Sequence, residues 1–572
     1  MKFDAILGEI GEFGLYQKLV YYALCINGAT VACHMLAQVF LAGHMSHSCK
    51  VSAWDNEDCS RWDYTAEQCM EAKHNASVPF NYTKEDNMFQ CYKYAIVDEL
   101  DFHPGLDPEN YNNTDLMRCN QGWVYDKSQY KSSIISEFDL VCSHKDRDSL
   151  AQSLFFVGVL IGSVVFGGLS DIYGRRKILF VALLVQSVSG LAIAFSPSYW
   201  FYTIFRMILA SANMGVFLLS FIIGTEFVGP SKRVIAGIVI MIFFSIGYML
   251  LALFAYFIRE WWILQLAITA PIFIMFAFFP FLPESVRWLI SKGRTEEATR
   301  IIKKAADVNK AKLPEPIFTP EDIKEQEAAA TGRQATAIDL FRTPNLRIRT
   351  LNLMFNWFVN TLVYYGLSLS TSDLGVNVYI AFFISGAVEF PAYISCIFAI
   401  EYFGRKWSMF GYMVGGGIAC LCTIFTPIGA WRTTVAMIGK FGISASFAIV
   451  YIYSAELFPT PVRSVGVGIC SMSARIAGIL APIILLLDDT WEPFPVLIFG
   501  VMSIAAGLLV LFLPETRGEQ LPETLEEGEM FGTKPKEYEV KTEPRFQYKN
   551  DANSGVINQA FDQEIEQGKV IS

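Results

Sequence analysis

Apolar residues in this chain fall in runs of roughly 18 to 25, each long enough as a helix to cross a ~30 Å hydrocarbon core. Twelve such runs begin near Leu19, Leu150, Ile178, Phe201, Val234, Trp262, Leu351, Val378, Trp407, Trp431, Val465 and Phe494. Short polar segments divide them, except for two long gaps, one after the first run and one after the sixth. The pattern predicts twelve transmembrane helices. The first run does not read as a secretory signal: it is too long, acidic residues precede it, and no small-residue cleavage site follows.

The polar segments repeat. Asp171, Gly174 and Arg175 are followed 230 residues later by Glu401, Gly404 and Arg405, and Glu226 and Arg233 by Glu456 and Arg463. A third pair, Pro283-Glu284-Ser285 and Pro514-Glu515-Thr516, is displaced by 231. A register kept across three loops implies a duplicated six-helix unit, with a site expected between the copies.

Charge orients the bundle. Arg175, Arg176 and Lys177, Lys232 and Arg233, the stretch from Arg287 to Lys304, Arg405 and Lys406, and Arg463 all fall on alternate loops. Basic loops stay inside, so that face and both termini are expected to be cytoplasmic. The loop over 43–149 is then extracellular. It carries sequons at Asn75, Asn81 and Asn112, candidate glycosylation sites. Six of the twelve cysteines also lie there: Cys49, Cys59, Cys69, Cys91, Cys119 and Cys142. An even number in an oxidising compartment suggests three disulfides, with fifteen connectivities open. The remaining cysteines read as small core residues of the spans.

The expected layout is a cytoplasmic N-terminus (1–18), a first six-helix half (19–290), a charged linker (291–349), a second half (350–514) and a polar, disordered tail (515–572). An amphipathic helix is expected over 295–306. The fold class is therefore an all-α membrane protein of two six-helix repeats with a large cysteine-rich extracellular loop. Composition agrees, with 53% hydrophobic and 17% charged residues. The net charge of −10 gathers in the outer loop and tail, and basic residues form short loop clusters, so nucleic acid is not a partner. All six histidines occur by His144, and there is no zincin motif, nucleophile elbow or phosphate-binding loop. That argues against an enzyme, and no metal or organic cofactor is implied.

The repeated residues suit a gate. A carboxylate at a helix end beside a glycine turn and guanidiniums can clamp neighbouring helices by charge-assisted hydrogen bonds. Asp171 with Arg175 and Arg176, Glu226 with Arg233, Glu401 with Arg405, and Glu456 with Arg463 are the candidate latches.

Gly167-x-x-x-Asp171-x-x-Gly174-Arg175-Arg176 is similar to the major facilitator signature, and the Pro283 and Pro514 segments to its companion motifs. The second copy has Ile397 in place of the glycine at 167. The cysteine-rich loop, Leu7-Gly-Glu-Ile-Gly-Glu-Phe-Gly14, Tyr364-Tyr-Gly-Leu-Ser368 and Tyr453-Ser-Ala-Glu456-Leu-Phe-Pro459 narrow the resemblance to the organic ion (organic cation/carnitine-type) transporters among solute carriers, over roughly residues 1–530. That resemblance implies alternating access at the plasma membrane and a small organic ion as partner, besides the lipid bilayer and a possible coupling ion such as Na+.

Ionisable residues at mid-depth cost about 2.5–3.5 kcal/mol each, so Glu389 and Arg475 are the leading substrate-binding candidates. They either neutralise each other or face the cavity, Glu389 toward a cation and Arg475 toward a carboxylate. The residues around Arg475 resemble the anion and carnitine-like branches, which favours a zwitterion, with simple cations next. Trp357, Tyr364 and Tyr365 are candidates for a cation-holding aromatic face, and the resemblance places Trp357, Tyr364 and Phe217 in the cavity. His34 and Asn27 are weaker candidates. Arg206 and Lys440 lie nearer helix ends and read as snorkelling side chains. An organic anion transporter and a non-transporting sensor on the same fold are the alternatives.

Overall fold

The computed structural model describes residues 3–54, 59–79, 90–103, 106–107, 110, 115–278, 280–313, 317–318 and 336–532. All twelve apolar runs are helices: α1 (Leu15–Leu36), α2 (Asp146–Tyr173), α3 (Arg175–Ala194), α4 (Tyr199–Phe227), α5 (Arg233–Phe257), α6 (Trp261–Met275), α7 (Pro344–Leu369), α8 (Val378–Ala387 and Glu389–Tyr402), α9 (Gly404–Thr423), α10 (Ala430–Leu457), α11 (Arg463–Leu485) and α12 (Phe494–Val510). Among the described residues nine are long and apolar enough by themselves to cross a membrane. Helix α12 has only 17 residues. Helix α7 gives up apolar character to Asn352, Asn356 and Asn360, one helical turn apart. Each donates its amide to a backbone carbonyl, of Leu509, Asn352 and Asn356 respectively.

The duplication predicted by the 230-residue register appears as pseudo-twofold packing. Within the first half α2 and α3 pack on α4, and within the second α8 and α9 pack on α10. Between the halves α2 packs on α11 and α5 on α8, the same contact with the copies exchanged. Close approach needs small residues: a Cβ at Gly158 or Gly162 of α2 would lie 2.2 or 2.1 Å from a backbone oxygen of α4. Gly167 is not such a point, since a Cβ there would meet only Leu218 at 3.6 Å. The departure at Ile397 therefore costs no helix contact of this kind. Large apolar side chains such as Val164, Leu184, Ile204, Leu253 and Phe398 stand exposed on the flanks of the bundle, the surface a bilayer would cover.

The described residues within 43–149 form a small domain on one end of the bundle. Two antiparallel pairs, His47–Cys49 with Trp123–Tyr125 and Tyr92–Tyr94 with Leu116–Arg118, flank a core that includes Trp54, Val97 and Phe102. Of the fifteen possible connectivities it has Cys49–Cys119, Cys59–Cys69 and Cys91–Cys142. His47 lies beside the third bridge, Nε2 at 3.8 Å from Cys142 Sγ. Burial, with His44 and His74 nearby, pulls its imidazole down to about 4. Asn75 is exposed on the helix Ala66–Ser77; Asn81 and Asn112 lie outside the described residues. The core-cysteine reading holds for Cys25, Cys33, Cys396, Cys420 and Cys470, but Cys422 is exposed.

The amphipathic segment of the linker is the helix Thr295–Asn309. Its last residue ties down the N-terminal segment: Asn309 accepts from the Tyr16 N–H at 2.9 Å and donates to the Ile10 carbonyl and the Gln17 amide oxygen. The stretch just after Pro514 is not a free tail. Residues 515–531 fold back along the second half, where Glu529 accepts from the Asn345 and Leu346 amides at 2.9 Å and so caps α7. Residues 533–572, most of the expected disordered tail, lie outside the described residues.

Candidate functional site

A cavity lies between the halves near the middle of the bundle. The first half contributes Val31 and Met35 from α1, Asn213, Met214 and Phe217 from α4, and Met241 and Phe244 from α5. The second contributes Tyr364 and Tyr365 from α7, Tyr393 from α8, Phe447 and Tyr451 from α10, and Arg475 from α11. The walls are aromatic and methionine-rich, the lining of a site for a small organic ligand. Arg475 is the charged side chain among these lining residues. Its Nη2 reaches Ser471 at 3.4 Å, and Tyr451 of the same wall interacts with its guanidinium.

Glu389 is not where either sequence expectation put it. It neither pairs with Arg475 nor lines the cavity. Pro391 cannot donate to the carbonyl of Ala387, and α8 is interrupted at Val388, immediately before Glu389. The carboxylate is fully buried behind the aromatic wall. It accepts from Tyr364 Oη at 2.7 Å and from Ser245 Oγ at 2.5 Å, and Lys440 Nζ lies 3.4 Å away. Lys440 also sits over the Tyr364 ring, 3.4 Å from its centroid, and donates to Ser368 Oγ.

The snorkelling expectation for Lys440 and Arg206 is therefore wrong: they are 0% and 1% exposed. Both helices turn these side chains into protein. Arg206 stacks 4.9 Å from the Phe155 ring and donates to Gln152 at 3.3 Å. His34 is also fully buried and does not line the cavity. It faces Arg206 and the Ile268 carbonyl, yet neither ring nitrogen completes a hydrogen bond. Asn27 donates to Ser220 at 2.9 Å, a helix-to-helix bond. Trp357 shares a helix face with Tyr364 but stands behind the wall. It donates to Ser454 at 2.9 Å and supports Tyr451, ring centroids 4.2 Å apart.

The signature residues assemble at the end of the bundle opposite the 43–149 domain, in two matching clusters. In the first, Arg175 pairs with Asp171 at 2.7 Å, Glu284 accepts from the Arg176 amide at 3.0 Å, and Ser285 donates to Glu226. In the second, Arg405 pairs with Glu456 at 2.7 Å, Glu515 accepts from the Arg405 and Lys406 amides, and Thr516 donates to Glu456. The predicted pairing of Glu456 with Arg463 is absent: Glu456 is taken by Arg405 and Thr516, and Arg463 donates to the Phe458 carbonyl at 3.2 Å. Glu401, the counterpart of Asp171, stands exposed. These contacts lie within one half or the other, so in this conformation they stiffen each half rather than bridge the two.

Several contacts that cross the halves lie between mid-depth and the domain-bearing end. Ser245 of α5 reaches Glu389, Tyr248 Oη donates to Ser385 at 3.0 Å, and Phe40 stacks on Tyr379 with centroids 5.6 Å apart. Lys145 pairs with Asp489 at the rim.

Sequence reasoning found Phe217, Tyr364, Tyr365 and Arg475 of the lining. It missed Val31, Met35, Met214, Met241, Phe244, Tyr393, Phe447 and Tyr451, which carry no signal separating them from ordinary packing. Asn213 did carry one, as an uncharged polar residue at mid-span. It accepts from Gln186 at 2.7 Å and donates to the Val31 carbonyl.

Residues 116–527 match the family described as "Sugar (and other) transporter". The organic cation transporter protein of Drosophila melanogaster is 42% identical over 551 residues, covering 95% of this chain and 97% of that protein. Human solute carrier family 22 member 13 is 39% identical, covering 92% and 93%. Organic cation/carnitine transporter 2 of Mus musculus is 34% identical, covering 97% and 99%. Among solved structures, the inward-open xylose transporter XylE of E. coli aligns over 90% of this chain and 99% of its own at 16% identity, with a TM-score of 0.57.

Proposed function

This chain belongs to the sugar (and other) transporter family, and within it to the organic ion transporters of solute carrier family 22; we propose that it is a multi-pass plasma-membrane transporter carrying a small zwitterion, carnitine-like in chemistry, by alternating access. The 43–149 domain faces outside and both termini face the cytoplasm, the arrangement supported by the basic loops and the disulfides. The observation that carries the substrate reading is Arg475, the charged side chain lining the cavity. A guanidinium in a confined aromatic pocket suits a carboxylate through paired hydrogen bonds. The faces of Phe217, Phe244, Phe447 and Tyr451 suit a quaternary ammonium, each well-placed ring contributing about 0.5–2 kcal/mol.

The conformation described has the halves joined toward the outer side through Ser245, Tyr248 and Phe40. Transport requires these contacts to part while each half moves as a unit, stiffened by its own signature cluster. Asp171, Arg175, Arg176, Glu226, Arg233, Glu401, Arg405, Glu456 and Arg463 serve in this reading as stiffening and gating residues on the cytoplasmic side. Substrate drives the exchange only through its different affinity for the two states.

Uptake of radiolabelled carnitine, tetraethylammonium and benzoate, each with and without sodium, tests the proposal in cells bearing the chain. Carnitine uptake that falls at least tenfold in Arg475→Asp supports it, and sodium dependence would identify the coupling ion. Tetraethylammonium uptake alone, favoured by the aromatic walls, would replace the zwitterion with a simple cation. Benzoate uptake alone would make the substrate an organic anion. No uptake of any of the three by surface-resident protein would favour a sensor.

A further inference from the structure

Two opposite charges lie directly behind the cavity wall, and neither touches the cavity. Glu389 and Lys440 are both fully buried, 3.4 Å apart. Tyr364 separates them from the pocket, its hydroxyl donating to Glu389 and its ring lying against Lys440 Nζ. Tyr393, also in the wall, approaches Glu389 at 3.5 Å. An isolated carboxylate in this place would put a negative potential through two tyrosines into a low-dielectric cavity. The ammonium cancels it.

We propose that Lys440 is a specificity-determining residue of this transporter: by masking Glu389 it leaves Arg475 as the uncompensated charge at the cavity and so disfavours substrates that are purely cationic. The inference rests on the transport reading above and names the side chain that sets its charge preference. Lys440 touches no ligand in this scheme and acts through Glu389 and Tyr364. The net charge of Arg475, Glu389 and Lys440 together is +1. Removing the ammonium brings it to zero and exposes a carboxylate one side chain away from the ligand. Removing both buried charges restores +1.

The test is the ratio of tetraethylammonium to carnitine uptake, normalised to surface-biotinylated protein, in four chains. Wild type and Lys440→Arg should give the same low ratio. Lys440→Met should raise it about tenfold, the scale of one unit charge acting over ~10 Å at an effective dielectric near 20. Loss of one partner of a buried pair can also impair folding, so the double variant Lys440→Met/Glu389→Gln decides the matter. It carries the same neutral substitution at 440, and its ratio should return to the wild-type value. An unchanged ratio in surface-resident Lys440→Met overturns the proposal, as does a double variant whose ratio departs from wild type by the same factor as the single. If Lys440→Met does not reach the surface, Glu389→Gln, with net charge +2, must lower the ratio below wild type or the proposal fails. A wild-type chain that moves none of the substrates would instead overturn the transport reading itself.

Discussion

The Glu515 carboxylate occupies the space where Gly404 would carry a side chain: a Cβ placed there lies 2.5 Å from Glu515 Oε2. Gly404 has φ +82°, and Glu515 accepts the amides of Arg405 and Lys406 that open α9. The first half repeats this with Gly174 at φ +107° and Glu284. The glycine therefore serves two needs at once, a left-handed turn between helices and room for the carboxylate that caps the next one.

Gly404→Ala should accordingly do more harm than backbone strain alone. Strain costs about 1–2 kcal/mol, and displacing the cap adds about 1 kcal/mol more. Gly518, at φ +77° with nothing within 4 Å of where a Cβ would stand, is the control and should suffer the strain only. Thermal unfolding of detergent-solubilised protein would compare them. Equal losses at both positions would contradict the cap.

Acid should loosen the 43–149 domain through His47. Its imidazole is held neutral, at about 4, chiefly by burial. For a base depressed on folding, the stabilisation is full above the unfolded value near 6.5 and is lost as pH falls through the interval from about 6.5 to 4. The loss is on the order of 3 kcal/mol. Hydrogen exchange along 43–54 and 119–126 should rise between pH 7 and pH 4.5, and His47→Gln should flatten that rise.

The disulfides should contribute unequally. Cys49–Cys119 closes 70 residues and Cys59–Cys69 closes 10. Loop-closure entropy predicts about 4 and about 3 kcal/mol respectively. Serine pairs replacing each bridge should rank in that order for surface expression, with the 49/119 pair the more damaging. The reverse order would show that local packing, not chain entropy, governs the domain.

Asn309→Ala should release the N-terminal segment without unfolding the bundle. It removes three hydrogen bonds, to Tyr16, Ile10 and Gln17, worth about 1 kcal/mol each. Gly14→Ala should act in the same direction, because its Cβ would lie 2.3 Å from the Asn309 amide nitrogen. Proteolysis near residues 10–14 measures both. Protection unchanged in Asn309→Ala would rule out the clamp.

Much of this protein was legible in its residues. Span positions follow from the apolar run length a bilayer demands. The pseudo-twofold packing follows from the 230-residue register, since two copies of one pattern must fold alike. The disulfide-bearing domain follows from six cysteines in one loop, though not their pairing, which depends on how the loop folds. Depth singled out Arg475 and Glu389 alike, because a charge at mid-span is costly, but only Arg475 lines the cavity.

What the chain alone left open was rotation about each helix axis. Sequence gives the depth of Lys440, Arg206, Glu389 and Trp357 but not the direction each side chain takes, and that direction is set by how helices distant in sequence pack together. Lys440 at its depth in α10 could reach an interface by snorkelling or turn into the bundle. Packing against Tyr364 and Glu389 selected the second, because a buried carboxylate without a partner costs several kcal/mol. The identity of Glu389's partner, and with it the charge of the cavity, was thus decided by tertiary structure.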